Sequence, residues 1–239
     1  MIDFNPTFSD QINSLIEENV PEQNTRDYLG ASLLGDSCSR KLQYHLTQTP
    51  KDKEYSSRTL RIFDAGHSFE TLGIKWMRLA GFELLTEDDS GRQFGFSQAN
   101  GAIKGHIDGI IKSAPIGIDL SCPCLWECKS MNNKSWYDTK IKGVVVSKPI
   151  YASQIALYQA YMGLHEHPAL FMAINKDTSE LYFELVPFDC ATAQELTNKA
   201  VNIIEDTQSG HLSPKVSEDP EYFHCRFCEY KQRCWNEYT

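Results

Sequence analysis

Apolar residues recur at helical spacing over residues 7–19, placing Ile12, Leu15 and Ile16 on one face, with Thr7 or Ser9 as a cap. A polar stretch, 21–27, follows. Residues 38–47 predict a second helix, 50–58 a charged loop, and 59–80 a long helix that stops before Gly81. Residues 82–86, 92–98 and 101–112 then alternate as strands do, 115–121 carry turn signals, and 124–129 predict a buried strand. Helical spacing returns at 149–164, opened by Pro149. Residues 169–175 and 180–187 predict a strand pair around the polar turn 175–179, and 191–206 an amphipathic helix. This order predicts a mixed α/β domain with a central sheet flanked by helices. The first 50 residues and the last 25 or so are expected outside that core. The divisions are 1–58, 59–212 and a polar, cysteine-bearing tail, 213–239.

Composition narrows the class. Hydrophobic residues are 41% of 239 and charged residues 23%, which allows a sizeable core and excludes a disordered chain. There is no run of about 18 apolar residues to span a membrane, and the first residues lack the pattern of an export signal. The expectation is a cytoplasmic protein, of a prokaryotic cell or a virus-infected host. Eight cysteines in a reducing compartment point to metal rather than disulfides. A net charge of −9 argues against a passive nucleic-acid coat, but an enzyme on DNA needs only a local basic strip.

Two predicted strands carry unusual cargo. One reads Gly105-His106-Ile107-Asp108-Gly109, the other Leu125-Trp126-Glu127-Cys128-Lys129. Residues two apart on a strand face one side, so Glu127 and Lys129 point together, and Asp108 joins them if the strands pair. Phosphodiester hydrolysis uses such groups: carboxylates hold a hard divalent cation, and a lysine orients water and balances charge. An E-x-K triplet alone is a common same-face ion pair. Further features single this one out. The long helix offers His67 and Glu70 as a third ligand. Gln154 and Tyr158 share a face of the later helix. Lys134, Lys140, Lys142 and Lys148 follow the acidic pair, interleaved with Trp136 and Tyr137, as a strip suited to phosphates and stacked bases.

The tail carries Cys225 and Cys228 two residues apart, then Cys234, a spacing that can grip a metal or a cluster edge. Cys38, in a small polar segment, is the best fourth ligand and would tie the two ends of the chain together. Spacing leaves zinc and iron–sulfur both open, as it does zinc held by three cysteines with His224. Cys122, Cys124, Cys128 and Cys190 read as structural or incidental.

Taken in order, these motifs resemble the RecB-like branch of the PD-(D/E)XK nucleases. The resemblance is to its cluster-containing members: CRISPR-associated adaptation nucleases, AddB-type helicase–nuclease subunits and virus-encoded relatives. It runs through Cys38 with Arg40, Gly66 to Glu70, Gly105 to Gly109, Glu127 to Lys129, Gln154 with Tyr158, and the three tail cysteines. It implies a restriction-endonuclease-like core. Asp108, Glu127 and the Cys128 carbonyl would bind Mg or Mn, with Lys129 catalytic. Glu70 is the favoured additional ligand and His67 nearly its equal. Gln154 and Tyr158 would contact DNA or steady the site, and the four cysteines would hold a structural 4Fe-4S cluster. The expected activity is cleavage of single-stranded DNA or DNA ends, in recombination, CRISPR adaptation or viral genome processing. No G-x-x-x-x-G-K-[ST] motif is present, so unwinding falls to a helicase partner; an integrase is the other expected partner. The competing readings are a non-catalytic DNA-binding or assembly subunit on the same fold, and a zinc-stapled domain without a nucleic-acid role.

Overall fold

A computed structural model of the chain describes residues 6–19, 26–52 and 55–236. The residues read for an export signal, most of 21–27, part of 50–58 and the last three of the tail lie outside the described residues. In chain order the elements begin with α1 (Pro6–Glu18), β1 (Leu29–Gly30), α2 (Ser39–Leu46) and α3 (Ser57–Leu79). The strands β2 (Glu83–Leu85), β3 (Gly95–Gln98), β4 (Ile103–His106), β5 (Gly109–Ser113) and β6 (Cys124–Met131) come next. Then follow α4 (Asn133–Lys142), α5 (Val144–Ser147), α6 (Pro149–Tyr161), β7 (Ala169–Asn175) and β8 (Leu181–Val186). The chain ends through α7 (Cys190–Gln208), α8 (Phe223–Arg226) and α9 (Lys231–Asn236).

The main sheet has the order β2-β5-β6-β7-β8, with β6 and β7 parallel and the other pairs antiparallel. A small sheet, β1-β4-β3, stands beside it. β6 and β7 are covered on both faces, so they read as near-continuous apolar runs rather than alternating ones. On one face Trp126, Cys128, Met172 and Ile174 meet Met77 of α3. That helix lies close because Gly73 has no side chain: a Cβ there would come within 3.0 Å of Cys128 Sγ. On the other face Leu125, Phe171 and Ala173 pack with Ile155 and Leu157 of α6 and Leu196 and Ala200 of α7. The result is a mixed sheet sandwiched between helices.

Three departures from the sequence expectations bear on the site. The predicted strand 101–112 is two strands in different sheets, broken at Ile107-Asp108. The break follows from close approaches: the Ile107 N–H turns to Phe94 O at 3.0 Å, and β2 crowds Gly109, where a Cβ would lie 2.7 Å from Leu84 Cδ1. Residues 133–147 form α4 and α5, where only a basic strip was expected; Asn132 caps α4, accepting from Ser135 N at 2.8 Å. Leu29, Ala31, Leu34 and Leu42, expected outside the core, are buried in it. Ile12 and Leu15 of α1, by contrast, are exposed.

Candidate active site and cysteine pocket

The strand break places Asp108 beside β6. Gly109 pairs with Trp126, and Asp108 Oδ2 accepts from Cys128 N at 2.8 Å. Glu127 and Lys129, two apart, face α6. Glu127 is completely buried; its Oε1 accepts from Lys129 Nζ and from Gln154 Nε2, the latter at 2.7 Å. Lys129 Nζ also lies 3.9 Å from Asp108 Oδ2 and 5.6 Å from the Tyr151 ring centre. The three side chains that sequence spacing singled out therefore converge.

Electrostatics follow from that convergence. Burial pushes the Glu127 carboxyl up, the Asp108 charge pushes it further, and Lys129 offsets part of this. Burial alone would lower Lys129, but Glu127 and Asp108 hold it above the usual lysine value. Glu70, half-buried on α3, is raised by burial and by Asp108, while Lys129 and His67 pull it down. Glu70 therefore shares the field of the site. His67, one turn earlier, is exposed.

Tyr158 sits under this cluster. It is buried, and its hydroxyl is raised by burial and by Glu127. Gly105 makes its position possible: a Cβ there would lie 2.7 Å from Tyr158 Cε1 and 2.6 Å from Phe96 Cε1. Phe96 meets the Tyr158 ring edge-on at 6.2 Å and stacks on Tyr161 at 4.6 Å. The glycine in the first acidic motif thus makes room for an aromatic floor.

The donors fit a hard divalent cation by type: carboxylate oxygens, with Glu127 Oε2 buried and lacking a hydrogen-bond partner. As the side chains stand, Lys129 occupies the space between the acids. Among the described residues no three His, Cys, Asp or Glu side chains converge on one ion-sized point.

An alkaline exonuclease from Laribacter hongkongensis aligns over 78% of this chain and 90% of its own, at 14% identity and a TM-score of 0.55. The mixed sheet flanked by helices is similar to the PD-(D/E)XK nuclease fold of that exonuclease. The same exonuclease in complex with dAMP aligns at 14% identity over 77% and 89% of the two chains, with a TM-score of 0.52. The protein SSO0001 aligns at 18% identity over 98% and 99%, with a TM-score of 0.48. No protein-family model and no curated protein matches the sequence.

Around this nuclease fold the basic strip lies on α4 and just beyond it, with one correction. Trp136 is buried, its Nε1 donating to Ala173 O at 3.0 Å, so it cannot stack on a base. Its neighbour Tyr137 is exposed and lines an open groove with Lys134, Lys142 and Lys148. Lys140 stands 4.9 Å over the Trp136 ring. Asp138 opposes the strip, holding Lys142 at 2.6 Å and Lys148 at 4.0 Å.

Cys38, Cys225, Cys228 and Cys234 line one pocket, where burial first, and to a lesser degree the closeness of Cys38, raise each of the other three thiols. Cys128 is buried in β6 and Cys190 exposed, both away from this pocket. Arg40, expected to contact DNA or support the site, lines this pocket; its Nε donates to Ser213 O.

Sequence reasoning missed the groups that clamp the tail. Gln43, buried on α2, donates to His211 O at 2.6 Å and accepts from Ser213 N at 2.8 Å. Asp52 accepts from Gln232 N at 2.7 Å, at the first turn of α9. Glu229 lies 3.3 Å from His45 and 3.6 Å from Lys41. Burial pushes its carboxyl up, but these two neighbours bring it down to about 2. Lys199 donates to Leu34 O at 3.2 Å and to Asp36 O, fixing the loop before Cys38. Each is an ordinary polar residue whose partner is remote in sequence, so no local signal marks it. Gln43→Ala would strand the buried Ser213 N–H. We expect it to cost about 1–3 kcal/mol in thermal unfolding and to expose the tail to limited proteolysis. A melting temperature equal to wild type would show the clamp to be idle.

Proposed function

We propose that this chain is a divalent-metal-dependent deoxyribonuclease that cleaves single-stranded DNA or DNA ends, with a 4Fe-4S cluster stapling its tail. The observation that carries the reading is the meeting of Asp108, Glu127 and Lys129, with Gln154 fixing one Glu127 oxygen and the other left buried without a partner. The fold shared with an alkaline exonuclease supports it, as does that exonuclease's complex with dAMP.

Asp108, Glu127, Glu70 and the Cys128 carbonyl would hold Mg or Mn. Bound there, the ion would polarise the scissile phosphate and lower the pKa of water. The chain's own groups do the rest. Gln154 keeps Glu127 pointed into the site. Lys129 carries a fixed positive charge to the place where phosphate charge grows, and its ammonium orients the attacking water. Tyr151 and the Tyr158 floor confine Lys129. Lys134, Lys142 and Lys148 would track phosphates, and Tyr137 offers a face for a base.

The four cysteines line one pocket, and a 4Fe-4S cluster held by all four thiolates is the occupant we propose, with zinc as the alternative. Its role is structural, with unwinding supplied by a separate helicase or the ends delivered to an integrase. The test is anaerobic purification followed by iron, sulfide and zinc analysis and a time course on end-labelled single- and double-stranded DNA with Mg or Mn. Brown protein with about four irons per chain and metal-dependent cleavage is expected. No cleavage with either metal would sink the nuclease reading; colourless, zinc-loaded protein would sink the cluster.

A further inference from the structure

The outer strand of the main sheet is unguarded. Among the described residues β8 pairs only with β7, through a regular register from Leu181↔Ile174 to Val186↔Ala169 without a bulge. Open sheet edges are normally blunted by lysine, proline, bulges or a covering element. β8 reads Leu-Tyr-Phe-Glu-Leu-Val and contains no lysine and no proline. Its charged residue, Glu184, turns away, with Oε2 accepting from Val144 N at 2.8 Å and from the Tyr182 hydroxyl at 3.1 Å.

The opposite face is apolar and uncovered. Leu181, Phe183 and Leu185 are 39%, 43% and 48% exposed, while the β7 residues they pair with, Ile174, Met172 and Leu170, are buried. The apolar surface of the sheet thus runs out past its helical cover onto the edge strand. The row is also symmetric about its centre, with leucine two residues to either side of Phe183.

We propose that β8 is the docking strand for a second copy of this chain, joined antiparallel about a two-fold axis through Phe183. An axis perpendicular to the sheet keeps each face on its own side. Phe183 then lies opposite Phe183 of the second copy, and Leu181 opposite Leu185. Six apolar side chains form one ribbon continuous with the buried β7 row. On the other face Tyr182 of each copy lies opposite Glu184 of the other, a hydroxyl beside a carboxylate. A heterologous apolar strand would also satisfy the edge; a second copy is favoured because the mirrored order of β8 sets leucine against leucine and phenylalanine against phenylalanine about the two-fold axis. The contact is short, so association on the order of micromolar is expected.

The test is the mass of the full chain in solution across a concentration series, by light scattering or sedimentation equilibrium. Wild type should approach twice 27.2 kDa as concentration rises. Phe183→Lys puts two like charges opposite one another and should raise the dissociation constant at least about tenfold, with the far-UV spectrum of wild type. If that variant does not fold, Leu185→Lys on the same row gives the same reading. A wild-type mass that stays at 27.2 kDa up to about 100 µM would overturn the proposal, whether or not another protein's strand binds there. So would a folded Phe183→Lys protein that dimerises as wild type does.

Discussion

Lys129→Ala is expected to slow DNA cleavage by about a hundred- to a thousandfold, and Asp108→Ala by at least as much. The two changes act on one cluster from different sides. Lys129 supplies the positive charge beside two acids, and nothing else within that cluster carries one. Asp108 supplies a carboxylate and also takes the Cys128 N–H, so its removal frees the β6 backbone at the reacting centre. The measurement is single-turnover cleavage at saturating enzyme, with the thermal melt run alongside to confirm a folded protein. Under the proposed mechanism both residues serve one step, so the double variant should be little slower than either single one. Losses that multiply would mean that the two act independently, which the 3.9 Å approach argues against.

Trp136→Ala should damage stability and leave recognition intact. The indole is buried and donates to the β7 backbone, so truncation removes a large core group and one hydrogen bond. The expected cost is about 3–5 kcal/mol, a fall of roughly 6–20 °C in melting temperature for a chain of this size. Below its melting point the variant should bind single-stranded DNA as wild type does. Tyr137→Ala should behave in the opposite way: an unchanged melt, and binding weakened by about 1–3 kcal/mol. Melting and fluorescence-anisotropy titrations on the two proteins decide between a stacking tryptophan and a structural one.

The parts legible in the sequence were those governed by short periods. The two-residue repeat put Glu127 and Lys129 on one face, and β7 was read residue for residue from its unbroken apolar run. The pairing of the acidic motifs was also readable as a condition, and the register of β5 with β6 meets it. What escaped was set by close approach or by distance along the chain. Alternation over 101–112 hides the change of sheet at Ile107-Asp108, because the cause lies in Phe94 and Leu84. α4 buries only Trp136 and Thr139, so its lysines drown the helical pattern; Asn132, three residues before Ser135, was the available signal. A tryptophan among lysines looks the same in sequence whether it faces a base or a strand. The cysteines announced a meeting of the chain ends, whereas Gln43, Asp52 and Lys199, which enforce it, carry no mark.

The clamp between α2 and the tail joins residues that stand 168 to 188 positions apart, from Gln43 with His211 to Lys41 with Glu229. The entropy of closing so long a loop grows only with the logarithm of its length, so distance costs the finished protein little. It costs time. During synthesis at about 5–20 residues per second, α2 leaves the ribosome roughly ten seconds or more before its partners exist. Throughout that interval Cys38 and the apolar side of α2 wait without their counterparts. The segment ahead of the long helix therefore leaves the ribosome well before the residues that will cover it.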